Sequence, residues 1–299
     1  MKTSRLMSLV VIIVVLVSLA SIWFYPSVQA FMTSNMMWNG INKFDNEFNV
    51  QNIDSVAALP DAAQQKDVLI SIPYLDYTPD QLTQMEQFVE SGGKLIMMDD
   101  FGYGNSFLEY AGIPARFENI PLLDPLFNYK NEYFPRILTF NSSITSSGIN
   151  VIVFNHGTAL SGVSQSQALA WSSNMSFLDN NKDGNMDNGE PNGPFVVAAD
   201  YSLGKGTVDL ISGPSLIMNA VPGANDNNAF LTYLINSNGT PDTVLFDRAN
   251  MPNAPLDMAK LALANLRRII SEPYVLLGIV ALVFVIITGY TYRRGLLIG

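Results

Sequence analysis

The segment from Asp179 to Glu190 reads Asp-Asn-Asn-Lys-Asp-Gly-Asn-Met-Asp-Asn-Gly-Glu, a spacing of oxygen-bearing side chains that suits a divalent cation. Counted as a twelve-residue calcium loop, Asp179, Asn181, Asp183, Asp187 and Glu190 fall at positions 1, 3, 5, 9 and 12. Asn185 at position 7 offers its backbone carbonyl, and Gly184 falls at position 6, where the sharp turn needs glycine. Calcium takes six to eight oxygens, and a terminal glutamate supplies two of them. Pro191 follows at once and bars the exit helix of a paired EF-hand. The expected chemistry is a structural calcium ion held by an isolated loop, with a dissociation constant on the order of 10⁻⁴–10⁻³ M. The alternative is a surface turn rich in Asn, Asp and Gly that binds nothing.

Other chemistry-bearing residues are few. Asp99 and Asp100 follow a predicted strand, and ligands of open parallel sheets bind outside the carboxyl ends of strands. The pair suits a metal-assisted hydrolase, or else its aspartates cap the next helix. His156 is the single histidine, which excludes a zinc site of the usual kind. A serine–histidine–acid triad lacks its Gly-x-Ser-x-Gly elbow. The absence of cysteine removes disulfides, thiolate metal sites and cysteine nucleophiles together. Gly204-Lys205-Gly206 is too short for a phosphate loop and reads as a hairpin turn. Asn141, Asn174 and Asn238 open N-x-S/T sequons.

The elements that must position these residues alternate between strand and helix. Asp67–Pro73 reads as a buried strand, a short apolar run bounded by charge and proline. Thr78-Pro79-Asp80-Gln81 begins a helix with a capping box and proline at its first position, and Gly92-Gly93 ends it. Lys94–Asp99 is the next strand, so the unit is a right-handed parallel crossover. A short helix is expected around Phe107–Ala111. Strands are expected at Ile137–Phe140, Val151–Phe154, Phe195–Ala199, Thr207–Ile211 and Val244–Phe246, and a helix at Asn227–Ile235. The pattern predicts one α/β domain, residues 31–254, with a mainly parallel sheet.

Apolar segments bracket this domain. Leu6–Tyr25 is uncharged, follows Lys2 and Arg5, and is long enough to span a bilayer. It reads either as a retained anchor or as a signal cleaved after Val28-Gln29-Ala30. Residues 273–299 hold a second apolar helix, closed by Tyr290, Tyr292, Arg293 and Arg294, and a short tail. Between the domain and this second helix, residues 255–272 carry Leu256, Ala259, Leu263, Leu266 and Ile270 at helical spacing, an amphipathic helix expected to pack on the domain or else to lie at the lipid surface. The positive-inside rule then puts both termini in the cytoplasm and the domain outside it, at the cell membrane. A net charge of −10 argues against nucleic acid as a partner.

The ordered motifs Asn35-Met-Met-Trp-Asn-Gly40, Thr78-Pro79, Gly92-Gly93, Asp99-Asp100-Phe-Gly, Ser176–Glu190, Gly193–Ala199, Gly204–Gly206, Pro214-Ser215 with Asn219, and Asp226-Asn227 resemble domain-of-unknown-function family 4350. The resemblance covers most of residues 35–247. It implies a membrane-anchored ectodomain with a flavodoxin-like fold related to class I glutamine amidotransferases. Such enzymes use a cysteine nucleophile, which this chain lacks. Gly213 stands where the family often has an aspartate, and Asp247-Arg-Ala-Asn250 replaces an acidic-x-histidine stretch. Relatives encoded beside MoxR-type ATPases imply a role in envelope assembly. The function expected is a non-enzymatic extracytoplasmic binding or assembly domain with a protein partner in the envelope. The alternative is a metal-assisted hydrolase at the strand ends.

Overall fold

A computed structural model describes residues 2–55, 59, 67–221, 225–237, 239–251 and 254–293. Asn238 and the tail from Arg294 lie outside them. The chain divides into two compact units, Val28–Pro252 and a pairing of Met1–Ser27 with Asn253–Gly299.

The second of these holds α1 (Lys2–Phe24) and, at the other end of the chain, two helices taken up below. Val28–Pro252 begins with α2 (Asn42–Phe48) and β1 (Gln51–Ile53). The predicted crossover follows as β2 (Val68–Ser71), α3 (Pro79–Ser91) and β3 (Lys94–Met98). Thr78 accepts from the Gln81 amide, and the Gln81 side chain accepts from the Thr78 amide at 2.8 Å, so two otherwise orphaned donors are satisfied. Gly92, at φ +128°, ends the helix in a conformation that costs other residues strain.

The return half is β12 (Val196–Leu203), β13 (Gly206–Ile211), α6 (Asn227–Asn236) and β14 (Val244–Asp247). Five strands run parallel in the order β1-β14-β2-β3-β13. β14 thus inserts between β1 and β2, an order that departs from the 2-1-3-4-5 of flavodoxin itself. Side chains alternate across this sheet, and each face has its own helix. Met85, Phe88 and Val89 of α3 pack with Leu69, Leu95 and Met97. Phe230, Leu231 and Leu234 of α6 pack on the opposite face with Val68, Ile70 and Ile96. Burial of each such side chain contributes about 1.5–3 kcal/mol. Lys94 ties the layers together: its Nζ lies 2.7 Å from Asp209 Oδ2 and donates to the Leu234 carbonyl at the end of α6.

Beyond β13 the sheet turns antiparallel. β12 pairs with β13 through the Gly204-Lys205 turn, as the hairpin reading expected. Between β3 and β12 the chain makes a long excursion. It contains α4 (Asn105–Tyr110), β4 (Arg116–Phe117), β5 (Leu122–Leu123), β6 (Arg136–Ile137) and β7 (Thr139–Phe140). It continues with α5 (Ser142–Ser146), β8 (Ile152–Val153), β9 (Leu160–Ser161), β10 (Ala168–Trp171) and β11 (Phe177–Leu178). β10 and β7 extend the sheet beside β12, with β9 and β4 pairing off it. β5–β11 and β6–β8 are separate antiparallel pairs. The run Ile137–Phe140, expected as one strand, is divided between β6 and β7 in different sheets.

The unit of the chain ends adds α7 (Pro255–Ser271) and α8 (Pro273–Arg293) to α1. Leu6–Phe24 and Pro273–Tyr292 are long and apolar enough to cross a membrane; the first also has the position of a signal sequence. Within this unit α7 lies between the two long apolar helices in contact order. Its partners are α1 and α8, and none of its residues is buried. The reason is its apolar stripe: Leu263, Leu266 and Ile270 share a cleft with Leu19, Ala20 and Trp23. Arg267 stands 6.0 Å from the Trp23 ring centroid, and Ser27 donates to Asp257 at 2.8 Å.

Candidate functional site

The acidic loop emerges directly from β11 and is closed at its base, where Leu178 N–H donates to the Pro191 carbonyl at 3.1 Å. Asp179 is fully buried; its Oδ1 accepts from the Asp183 amide at 3.2 Å and its Oδ2 from the Gly184 amide at 2.9 Å. Asn181 Oδ1 also accepts from Asp183, and Asp183 Oδ1 accepts from Asn185 at 2.8 Å. Glu190 reaches back across the loop, accepting from the amides of Asn180 at 2.8 Å and Asp187 at 3.1 Å. Asp187 Oδ2 accepts from Asn181 Nδ2. The side chains at positions 1, 3, 5, 9 and 12 are therefore turned onto their own loop. Gly184 sits at φ +82°, and an added Cβ would lie 2.7 Å from Tyr133 Oη. The donor set is all oxygen, which fits a hard cation. Among the described residues, however, no three acidic or histidine side chains gather into a cage. Their oxygens bind N–H groups of the loop instead, backbone amides for all but Asp187, and a cation would have to compete for them.

The second predicted group lies where β3 ends. Asp99 is buried and accepts from the amides of Phe101 at 2.7 Å, Gly102 at 3.0 Å and Gly104 at 2.6 Å. Burial pushes its carboxyl above the usual range, and those amides pull the other way. The carboxylate thus holds the turn that leads into α4. Asp100, half-buried beside it, is pushed up to about 7, first by desolvation and then by the charge of Asp99. Tyr74 stands between Phe31 and Phe101, with ring centroids 5.9 and 5.4 Å away. At the end of β14, Asp247 accepts from Ser71 Oγ at 2.8 Å and Asn250 Nδ2 at 3.1 Å, and Ser71 pairs with Tyr77 Oη at 2.7 Å. Burial, with Asp247 behind it, holds the Tyr77 phenol protonated.

Between the ends of β3 and β13 the following elements leave toward opposite faces, the place where such sheets bind ligands. Here the chain's own excursion fills it. Ser212 Oγ donates to the Thr158 carbonyl at 2.7 Å, and Phe154 lies where a Cβ on Gly213 or Gly157 would be. His156, at φ +57°, stacks on Tyr133 with centroids 5.1 Å apart, and its Nδ1 lies 2.6 Å from Asn155 Oδ1. Partial burial lowers its pKa. It belongs to an aromatic stack and not to a triad. Asn141 caps α5, accepting from the Ile144 amide at 3.1 Å, while Asn174 is exposed on a turn.

A third feature escapes any reading by charge. Asn219 Nδ2 donates to the carbonyls of Asn35 at 3.0 Å and Met37 at 2.7 Å, and Asn219 Oδ1 accepts from the Lys43 amide. Asn35 in turn fixes Gln29, Met37 and Asn39. Two distant asparagines thereby hold a rigid loop that presents Met36, Met37 and Trp38 to the outside, Trp38 with 63% of its surface exposed. The ordered asparagines and Gly40, whose Cβ would collide with the Asn35 carbonyl, were the signal.

The family described as a domain of unknown function, DUF4350, matches residues 44–235. The chain belongs to that family. The match takes in every element of the DUF4350 domain from α2 to most of α6, including both acidic loops; the Asn35–Gly40 turn precedes it. No curated protein matches the chain. Among solved structures, the mmIFT52 N-terminal domain is similar at 13% identity, with 73% of this chain and 96% of that one covered and a TM-score of 0.51. A β-galactosidase from Bacillus circulans sp. alkalophilus matches at 12% identity over 55% of this chain and 22% of its own, TM-score 0.32. A cytoplasmic protein from Salmonella typhimurium matches at 13% identity over 61% and 74%, TM-score 0.28. The first likeness concerns the fold of the DUF4350 domain alone.

Proposed function

We propose that this chain is a membrane-anchored extracytoplasmic binding or assembly domain without an enzymatic reaction of its own. Calcium in the Asp179–Glu190 loop serves as its structural ion, and a protein of the cell envelope is its partner. The observation that carries this is the state of the strand ends. Asp99 is engaged by three backbone amides, and the excursion packs over the neighbouring crevice. A metal-assisted hydrolase there would rest on Asp100 alone. The apolar helices at both ends support anchoring, and the two-faced parallel sheet supports a distant amidotransferase-like ancestry, its strand order aside.

The absence of cysteine allows a clean test of location. Met186→Cys places a lone thiol on the exposed loop. A membrane-impermeant maleimide should label it in intact cells; labelling only after permeabilisation defeats the extracytoplasmic reading. For calcium, a dissociation constant of 10⁻⁴–10⁻³ M and about 10 mM ion give roughly 1.4–2.7 kcal/mol of stabilisation. The melting temperature should rise by a few degrees in calcium, and Glu190→Gln should abolish most of the rise. An unchanged midpoint in the parent protein removes calcium from the proposal.

A further inference from the structure

A cavity of about 210 Å³ lies within the domain beneath the rigid Trp38 loop. Its aromatic walls are Trp38, Tyr129 and Phe134, and its polar lining is Lys130 and Asn155. Four separate stretches of chain build it, and each is fixed. Trp38 is held from behind by the Asn35–Asn219 clamp, and its carbonyl accepts from the Ala220 amide at 3.0 Å. Asn155 donates its backbone N–H to Ser215 Oγ at 2.9 Å, while its Oδ1 faces His156. That leaves Nδ2 as its remaining donor. A pre-formed site of this kind binds without first having to be ordered.

Charge selects the ligand. Lys130 Nζ stands 5.5 Å from the Tyr129 centroid and 5.8 Å from that of Phe134, and the Arg136 guanidinium lies 5.9 Å from Tyr129. Among the described residues the ion pairs are Lys94–Asp209 and Arg248–Asp54, so neither Lys130 nor Arg136 meets a carboxylate. Arg136 Nε is also buried without a hydrogen-bond partner. Two unpaired cations on one aromatic patch stand out in a chain of net charge −10. Such rings would suit a cationic ligand in isolation, but here Lys130 already lies over their faces and repels one. An anion is attracted to Lys130, and a flat ring attached to it fills the space between the aromatic walls. The volume is below the roughly 300 Å³ at which drug-sized pockets begin, which limits the ligand to one ring and its substituent.

We infer that this cavity binds a single six-membered ring bearing a carboxylate, with Lys130 on the carboxylate and Trp38, Tyr129 and Phe134 around the ring. The inference stands apart from the anchoring and calcium readings, since none of those residues takes part in either.

The test is calorimetric titration of the full chain in detergent micelles with benzoate and with glucuronate, against benzyl alcohol and glucose as uncharged counterparts. At least one of the two acids should bind, at least about tenfold more tightly than its counterpart, as a charge-assisted hydrogen bond implies. Benzoate alone points to aromatic acids, and glucuronate alone to sugar acids. Lys130→Ala should lose about tenfold in affinity, Lys130→Arg should keep it, and Trp38→Ala should lose binding. Lys130 and Trp38 are both exposed, so the variants should melt with the parent. Any variant that does not is replaced by Lys130→Met or Trp38→Leu. The inference is overturned if neither acid binds at about 10 mM, or if Lys130→Ala binds like the parent.

Discussion

The loops after β3 and after β11 both begin with an aspartate and both turn on glycines, yet their carboxylates serve different ends. Asp99 is enclosed, and its two oxygens hold the three amides that start α4. In the other loop Asp179 plays that same part, buried under the amides of Asp183 and Gly184. The residues that follow it are different. Asp183 and Asp187 lie at the surface and Glu190 is half-buried, where water can compete for their bonds. A buried carboxylate bound by amides is part of the fold. An exposed one held by the same kind of bond stays open to competition, and the calcium proposal requires an ion to win it together with the buried Asp179. The loop at the strand ends, the favoured address for chemistry in such sheets, is thus closed on its own amides, while the outer carboxylates of the excursion loop stay open to water.

The strongest way to break this comparison is Asp99→Ala. Three enclosed amides lose their acceptor at once, so the variant should be less stable by about 3–5 kcal/mol. Asp99→Asn keeps one good acceptor and should cost about half as much. Denaturant unfolding of the full chain in detergent measures both. A loss under about 1 kcal/mol for the alanine variant would mean that the turn stands without its aspartate, and that Asp99 is free for other work.

Asp100 probes the same loop through pH. Its folded pKa of about 7 lies above the ordinary carboxylate value. Between about pH 4 and pH 7 the folded state therefore holds more protons than the unfolded one, and stability falls as pH rises through that window. For a fully enclosed carboxyl, so large a rise in pKa would correspond to about 4 kcal/mol; partial exposure reduces this to roughly 2 kcal/mol. Asp100→Asn, which stays neutral, should be more stable than the parent above pH 7 by about that amount, and its slope should be shallower by the share of Asp100, with Asp99, Asp200 and Asp209 keeping theirs. Unfolding curves of parent and variant at pH 5 and pH 8 decide it: the same pH dependence in both would show Asp100 ionised throughout.

How far these loops were legible in the sequence follows from the elements beneath them. The β2-α3-β3 unit announced itself because Thr78, Pro79, Gln81 and Gly92 each act locally, and because strands buried on both faces are continuous apolar runs. The excursion was legible only in part: α4, β8 and the β6–β7 run were expected, but β4, β5, β9 and β11 are two-residue strands, too short for any periodicity to register. The β12–β13 hairpin was legible from its Gly204-Lys205-Gly206 turn, whereas its continuation through β10 and β7 was not. α7 shows another limit: its apolar stripe was visible, but a stripe does not name the surface it meets, and here Leu263, Leu266 and Ile270 only share a cleft with α1. The Asp179–Glu190 loop was singled out by residue type and spacing, which name candidate ligands but not the amides that hold them. The Asn35–Gly40 motif and Asn219 were each visible, but nothing local says that they meet, since Asn219 lies 181 positions beyond Trp38.

Gly184 gives the smallest and sharpest test of the excursion loop. Its φ of +82° disfavours any side chain, and a Cβ would meet Tyr133 Oη at 2.7 Å, the far end of a half-buried side chain that has room to give. Gly184→Ala should therefore cost about 1–2 kcal/mol, mostly backbone strain. The informative quantity is how that cost depends on calcium. If position 6 shapes an ion site, the strained turn misplaces Asp179 and Asp183, and the calcium-dependent rise in melting temperature should shrink along with the stability. If the loop is only a surface turn, the cost should be the same in calcium and in chelator. Melting curves of parent and variant in the two conditions, read as a double difference, separate a turn that needs glycine for its own sake from one that needs it for an ion.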